Sequence, residues 1–358
     1  MMIKVLLLGP LTGGEATYIK SLINFPPKGV NYIYFSYIEK YIEKLASFSF
    51  NMVRRKIPLH DHMTKFFVSS NLSLFDLIHS HIFSIKIISH CPKPLILSDS
   101  SCMFAFKESY LNWSKLHRNL SLAIGKCIFK LLQINDTLVN IKSVSQILTW
   151  SERAKKAYII YGIPEEKIKV VPPGLPEPLL EKIERNDDKV RFLFIGTSFY
   201  RKGGDIILNA YKVIKDRYPN ISLTMVTLLP SSIKLPEDVT ILKPMRRSKL
   251  FKNIYPYHDV LLMPSRSEGF GLTAVEAMSV GLPVIAKNTF ALPEIVEHGR
   301  AGFIFNTFNE LVKYMSLIIE DEQLRSNMSR RAREIFKTKY HINVTNQKLL
   351  NIYKQCIL

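Results

Sequence analysis

Short runs of consecutive apolar residues recur along the chain, each followed by a turn containing Gly or Pro and then by a longer amphipathic stretch. In the first half the runs fall at 3–8, 32–35, 76–78, 95–97, 146–149 and 168–171. In the second half they fall at 190–195, 222–226, 239–242, 260–263, 283–286 and 302–305. A run that does not alternate with polar residues is buried on both faces, the situation of parallel strands covered by helices on either side. Strand and helix in alternation, completed twice, predict two doubly wound α/β domains. The stretch Pro172-Pro173-Gly174-Leu175-Pro176-Glu177-Pro178 cannot enter a helix or a central strand, and marks the boundary between them. The expected division is therefore 1–176, 177–340 and a terminal segment, 341–358, that reads as a helix packing back on the first domain. A charged stretch, 181–189, follows the boundary as a linker, and 323–337 and 344–353 both have helical patterning.

Composition narrows the class. A chain of 358 residues can bury two cores of ordinary size, and 47% hydrophobic against 22% charged residues is a globular balance. No apolar run reaches the roughly 18–20 residues needed to cross a bilayer. The opening Val5-Leu6-Leu7-Leu8-Gly9 is too short for the core of a signal peptide, so a cytoplasmic location is expected. Cys91, Cys102, Cys127 and Cys356 are scattered without a C-x-x-C pair, which suggests neither a zinc site nor a disulfide framework.

The net charge of +19 is the unusual bulk property. It is spread evenly: 22 basic and 12 acidic residues precede position 179, and 27 and 18 follow. Such an excess suits an anionic partner, either nucleotide phosphates or an anionic membrane surface, and equally serves solubility. No helix-turn-helix, zinc-finger or aromatic RNA-binding signature is present, so no nucleic-acid partner is expected. Residues 36–75 mix cations with aromatics, as in Met52-Val53-Arg54-Arg55-Lys56 and Lys65-Phe66-Phe67. They suit a membrane or acceptor patch, or a solvated helix face with buried aromatics.

The chemistry concentrates in Met263-Pro264-Ser265-Arg266-Ser267-Glu268-Gly269-Phe270-Gly271-Leu272-Thr273-Ala274-Val275-Glu276-Ala277-Met278. A buried strand ends, a loop with two glycines follows, and 272–280 is a good helix former. The free N–H groups opening that helix suit a phosphate or a sugar hydroxyl. Gly269 and Gly271 would let a ligand approach the main chain. Glu268 and Glu276 would line one crevice at the carboxyl end of the sheet, where open α/β folds bind ligands. In Phe192-Leu193-Phe194-Ile195-Gly196-Thr197-Ser198-Phe199-Tyr200-Arg201-Lys202-Gly203-Gly204-Asp205, a second strand end is followed by two adjacent cations suited to a departing diphosphate. After the first strand, Gly9-Pro10-Leu11-Thr12-Gly13-Gly14 is not the G-x-G-x-x-G fingerprint, which disfavours a nicotinamide enzyme.

Together these stretches, with Ser279-Val280-Gly281-Leu282-Pro283-Val284-Ile285-Ala286, Leu292-Pro293-Glu294-Ile295-Val296 and Gly299-Arg300-Ala301-Gly302-Phe303, resemble the E-x7-E pattern of retaining glycosyltransferases, family 4 (glycosyl transferases group 1). The resemblance covers most of the second domain and the first only loosely. It implies the GT-B fold: two Rossmann-like domains facing across a cleft, with the C-terminal helix returning to the first. It further implies that Glu268 contacts the donor sugar, that Glu276 holds the ribose, and that Phe270, Gly271, Leu272 and Thr273 hold sugar and diphosphate through their backbone. Arg201 and Lys202 would stabilise the leaving diphosphate beside Gly196, and Gly13 and Gly14 would close over the donor phosphate. The chain departs from the pattern twice. Thr197 stands where the family has an Arg, for which Arg201 would substitute, and Asp99 falls nearest the family's His. His81, at another strand end, is the candidate for acceptor contact.

The implied activity is transfer of a hexose-type sugar from a UDP- or GDP-sugar, with retention and without a metal or cofactor. The acceptor would be a glycan, a lipid-linked saccharide or a small molecule. Two alternatives stay open: a sugar-phosphate synthase or nucleotide-sugar epimerase on the same fold, and a catalytically silent sugar-nucleotide-binding protein.

Overall fold

The computed structural model describes residues 2–9, 15–36, 74–81, 93–101, 144–160, 162–183, 185 and 187–358. The chain divides into two units, Met1–Gly174 with Thr345–Leu358, and Leu175–Val344. Residues 345–358, the bulk of the last helix, thus belong with the first unit. Gly13, Gly14 and the basic-aromatic stretch at 37–73 lie outside the described residues.

The first unit holds β1 (Ile3–Gly9), β2 (Val30–Ser36), β3 (Leu77–His81), β4 (Leu95–Asp99), β5 (Gln146–Thr149) and β6 (Ile168–Val170). Its sheet runs β2-β1-β3-β4-β5-β6, and every pairing is parallel. The interiors of β1, β3, β4 and β5 are fully buried on both faces (Val5, Leu7, Leu77, Ile96, Ile147 and Leu148), which is why their sequences are continuous apolar runs. Numbering helices among the described residues, α1 (Glu15–Asn24) buries Ala16, Tyr18, Ile19 and Leu22, spaced for one helical face. The second helix, α2, spans Glu152–Ile160.

The second unit holds β7 (Val190–Ser198), β8 (Ile221–Leu228), β9 (Val239–Leu242), β10 (Val260–Met263), β11 (Val284–Lys287) and β12 (Gly302–Phe305). Their order is β12-β11-β10-β7-β8-β9, again all parallel. The chain order reverses between β10 and β7, and in the first sheet between β1 and β3. These are the switch points at whose carboxyl ends open α/β sheets form a crevice. Its helices are α3 (Phe199–Lys202), α4 (Gly204–Lys215), α5 (Arg247–Asn253), α6 (Leu272–Val280), α7 (Leu292–Val296), α8 (Phe308–Glu320) and α9 (Glu322–Ile335), while α10 (Ile342–Ile357) begins in this unit and from Thr345 belongs with the first. Phe192, Phe194, Ile207, Tyr211, Leu223, Met225 and Leu311 form the core beneath β7, β8, α4 and α8.

The twelve expected apolar runs all fall within these strands or overlap them. β7 and β8 extend two or three residues further, because Gly196–Ser198 and Thr227–Leu228 continue the ladder. At the start of the second unit, Leu175 pairs with His341 in an isolated parallel bridge, with Leu175 N–H on Tyr340 O and Ile342 N–H on Leu175 O, both 2.9 Å. Among the described residues no helix is long and apolar enough to cross a membrane.

Candidate functional site

In the second unit the adjacent strands β7 and β10 each end in a loop that leads into a helix, and the two loops are joined by side chains from both. Gly203 makes the first loop possible. Its φ of +79° is left-handed, and a Cβ there would sit 2.4 Å from the Pro264 carbonyl oxygen, so only glycine lets the loops approach this closely. Arg266, from the β10 loop, forms a two-pronged ion pair with Asp205 (2.7 Å on each arm) and donates to the Tyr200 carbonyl at 2.5 Å. Its own N–H bonds the Arg201 carbonyl at 2.8 Å. In return Arg201 donates from Nη1 to the Ser267 carbonyl at 3.2 Å. The guanidinium beside Asp205 holds that carboxyl below the usual range.

Within this brace Lys202 and Glu268 form an ion pair, their side chains only 14% and 11% exposed. Ser265 Oγ donates to the same Glu268 oxygen at 3.1 Å. Gly196 clears the space for the lysine: a Cβ there would fall 2.6 Å from Lys202 Cβ. The buried hydroxyl of Ser267 finds no hydrogen-bond partner among the described residues.

Glu276 lies in the second turn of α6 and is buried. It is not joined to the Lys202 pair. Arg247 Nε at the start of α5 bonds Glu276 Oε1 at 2.6 Å, and Tyr255 Oη donates to Oε2 at 2.7 Å. Arg247 also lies 4.9 Å from the Phe251 ring centroid. The tyrosine's pKa is raised, first by burial and then by the adjacent carboxylate, so it stays a donor. Two carboxylates eight residues apart thus meet two separate cations, one at each side of the α6 amino terminus. Gly271 caps that helix with φ +117°, and a Cβ there would fall 2.6 Å from Leu292 Cδ2. The missing side chain of Gly271 therefore makes room for packing against α7. Phe270 is buried and meets the Tyr340 ring edge-on at 6.2 Å.

The first unit gathers polar groups at the ends of β3 and β4. His79 bonds Tyr353 Oη through Nδ1 (2.6 Å) and Ser98 Oγ through Nε2 (2.9 Å), and Ser98 Oγ also contacts His81 Nδ1 at 2.8 Å. Tyr32 Oη closes the chain onto Tyr353 Oη at 2.9 Å. His81 is buried and stacks on Trp150 at 5.2 Å with the rings 9° apart. Burial, and then His81 beside it, lower the His79 pKa to about 3. Asp99 accepts from Tyr158 Oη at 2.7 Å and from Ser101 N–H at 3.2 Å. Sequence reasoning missed Arg247, Tyr255, Arg266, Asp205 and Tyr158. Among the described residues no group of three or more His, Cys, Asp or Glu side chains is arranged to hold a metal ion.

The β7 and β10 strand ends, with their two carboxylates eight residues apart and the α6 amino terminus, lie inside a segment shared with known proteins. Residues 177–335 match the family model described as glycosyl transferases group 1. The group 1 segment contains the whole of the Arg266 brace, the Lys202–Glu268 pair and the Glu276 cluster. An uncharacterized 41.2 kDa protein of the cps region of Klebsiella pneumoniae is 32% identical over 190 residues, covering 49% of this chain and 52% of its own. D-inositol 3-phosphate glycosyltransferase of Pseudarthrobacter chlorophenolicus is 27% identical over 210 residues, 52% of this chain and 50% of its own. The chain thus spans about half the length of the curated relatives it matches. Solved structures align over nearly the whole chain. Sucrose-phosphate synthase from Thermosynechococcus elongatus has a TM-score of 0.70 at 16% identity, covering 99% of this chain and 98% of its own. Anabaena HepE, in complex with UDP-glucose, has a TM-score of 0.66 at 16% identity, covering 99% and 100%. The fold is that of these GT-B proteins, and residues 177–335 carry the likeness to glycosyl transferases group 1.

Proposed function

We propose that the chain transfers a hexose-type sugar from a nucleotide diphosphate sugar to a saccharide-bearing acceptor, with retention, without a metal, in the cytoplasm. The observation that carries this reading is the Lys202–Glu268 pair, held between two braced loops at the switch point of the second sheet. The pair keeps each charge compensated in a place poor in water, and a donor can take over both roles: diphosphate for the lysine, sugar hydroxyls for the glutamate. Arg201 would reinforce Lys202 as charge builds on the departing diphosphate, an interaction stronger in the transition state than before it. Glu276, steadied by Arg247 and Tyr255, would accept the ribose hydroxyls. Backbone groups from Phe270 to Thr273 would meet the diphosphate at the α6 amino terminus. The bond from the anomeric carbon to the diphosphate oxygen breaks, and one to the acceptor oxygen forms on the same face. The acceptor's proton leaves on the departing diphosphate. Asp99, nearest the position of the family's His, is proposed as a catalytic residue, and His81 for contact with the acceptor. The HepE complex with UDP-glucose supports a UDP-sugar as the first donor to try.

A thermal-shift series with UDP-, GDP- and ADP-sugars tests the donor half. Stabilisation by one nucleotide class, abolished in Lys202→Ala, is expected; no shift with any of them overturns the reading. Transfer of a labelled sugar, followed by product analysis, then separates transfer to a glycan from formation of a sugar phosphate or of an epimer.

A further inference from the structure

The second unit carries another concave surface, beside the amino ends of β7 and β10, remote in the sheet from the strand ends that bear Lys202 and Glu268. It is a groove of about 610 Å3 between the linker that precedes β7 and the polar stripe of α9. Eight basic residues line it against four acidic ones. The acids pair with part of the set: Asp187 and Asp259 with Arg191, Asp259 with Lys182, Glu181 with Arg333 and Glu322 with Arg325. Arg185, Lys189, Arg330 and Lys337 have no carboxylate partner among the described residues.

At the rim an apolar crest is built into the backbone. Glu177 and Glu181 both bond the Arg333 guanidinium, which pins the two ends of a five-residue arch. Leu179 and Leu180 stand between those anchors, 99% and 41% exposed. Ile183 and Tyr257 are exposed as well, Arg185 lies over the Tyr257 ring, and Ile183 N–H bonds the Pro256 carbonyl, so they continue the same edge. A single exposed leucine needs no explanation. Two at the crest of a pinned arch, beside four cations that make no ion pair among the described residues, make the combination that interfacial proteins use: apolar side chains for the acyl boundary and basic ones for lipid phosphates.

We propose that this face of the second unit docks on an anionic lipid surface. Leu179 and Leu180 enter the headgroup region, and Arg185, Lys189, Arg330 and Lys337 meet the lipid phosphates. The proposal stands apart from the donor reading, since its readout is binding and not turnover.

The test is co-sedimentation of the full chain with phosphatidylcholine vesicles, with and without phosphatidylglycerol. Binding only to the phosphatidylglycerol vesicles is expected, weakening as salt is raised. Leu179→Ser/Leu180→Ser and Arg330→Glu/Lys337→Glu should each lower partitioning by about tenfold or more while keeping the wild-type melting temperature. If the charge variant does not fold, the salt titration and the leucine variant decide. Equal binding to both vesicle types, or unchanged binding by the leucine variant, overturns the proposal. So does a chain that ignores vesicles and instead self-associates through Leu179 and Leu180.

Discussion

Lys202 and Glu268 neutralise one another where neither is well hydrated, so each alone becomes a burden on the fold. Lys202→Met or Glu268→Gln should destabilise the second unit by about 3 kcal/mol in urea denaturation, because the remaining charge is left without its partner. The double variant should regain much of that loss while remaining inactive. Either single change should lower the transfer rate by about 10²- to 10³-fold. A double variant no more stable than the singles would remove the ion pair from the explanation. In the first unit, His79 titrates near pH 3 in the folded chain against an ordinary 6.5, mainly because of burial. The unfolded chain therefore takes up a proton below about pH 6.5 that the folded chain refuses. The contribution is level above pH 6.5 and is lost as the pH falls, by about 1.4 kcal/mol per pH unit down to about pH 3. Both tryptophans of the chain, Trp113 and Trp150, fall in the 1–174 segment, so their fluorescence reports this unfolding. His79→Phe should flatten the limb between pH 6 and pH 4; an unchanged slope assigns it elsewhere.

At the scale of elements, the two strand-end loops act as one body because Arg266 holds three groups of the neighbouring loop. Gly203→Ala should cost about 1–3 kcal/mol from the left-handed φ alone, and more because the Pro264 carbonyl must move. A lowered urea midpoint together with weakened donor binding is the expected pair of results. The strands were legible in the sequence, because burial on both faces leaves a short unbroken apolar run bounded by turn residues. Glu268, Glu276 and Lys202 could be singled out as candidates because each sits at a fixed offset from a strand end and a glycine. Arg247, Tyr255, Asp205 and Arg266 were not. Arg247 lies 29 residues from Glu276, and Asp205 lies 61 from Arg266, and no periodicity links positions that only the folded sheet brings together. Gly271 was legible as a glycine, while its reason, the packing of Leu292 against the backbone, was not.

At the scale of the molecule, a nucleotide sugar that binds the second unit should stabilise that unit by about 2.7 kcal/mol at a hundredfold excess over its Kd. Far-UV circular dichroism should record the shift while the tryptophan transition of the first unit stays in place. A common shift in both signals means that the two units melt together. The bridge between Leu175 and His341 bears on how such a chain could arise. The peptide enters the second unit and leaves it through one narrow doorway, and each strand of the two sheets lies wholly within one unit. The second unit is thereby a cassette: cutting and rejoining at that one bridge would graft it whole onto a different host.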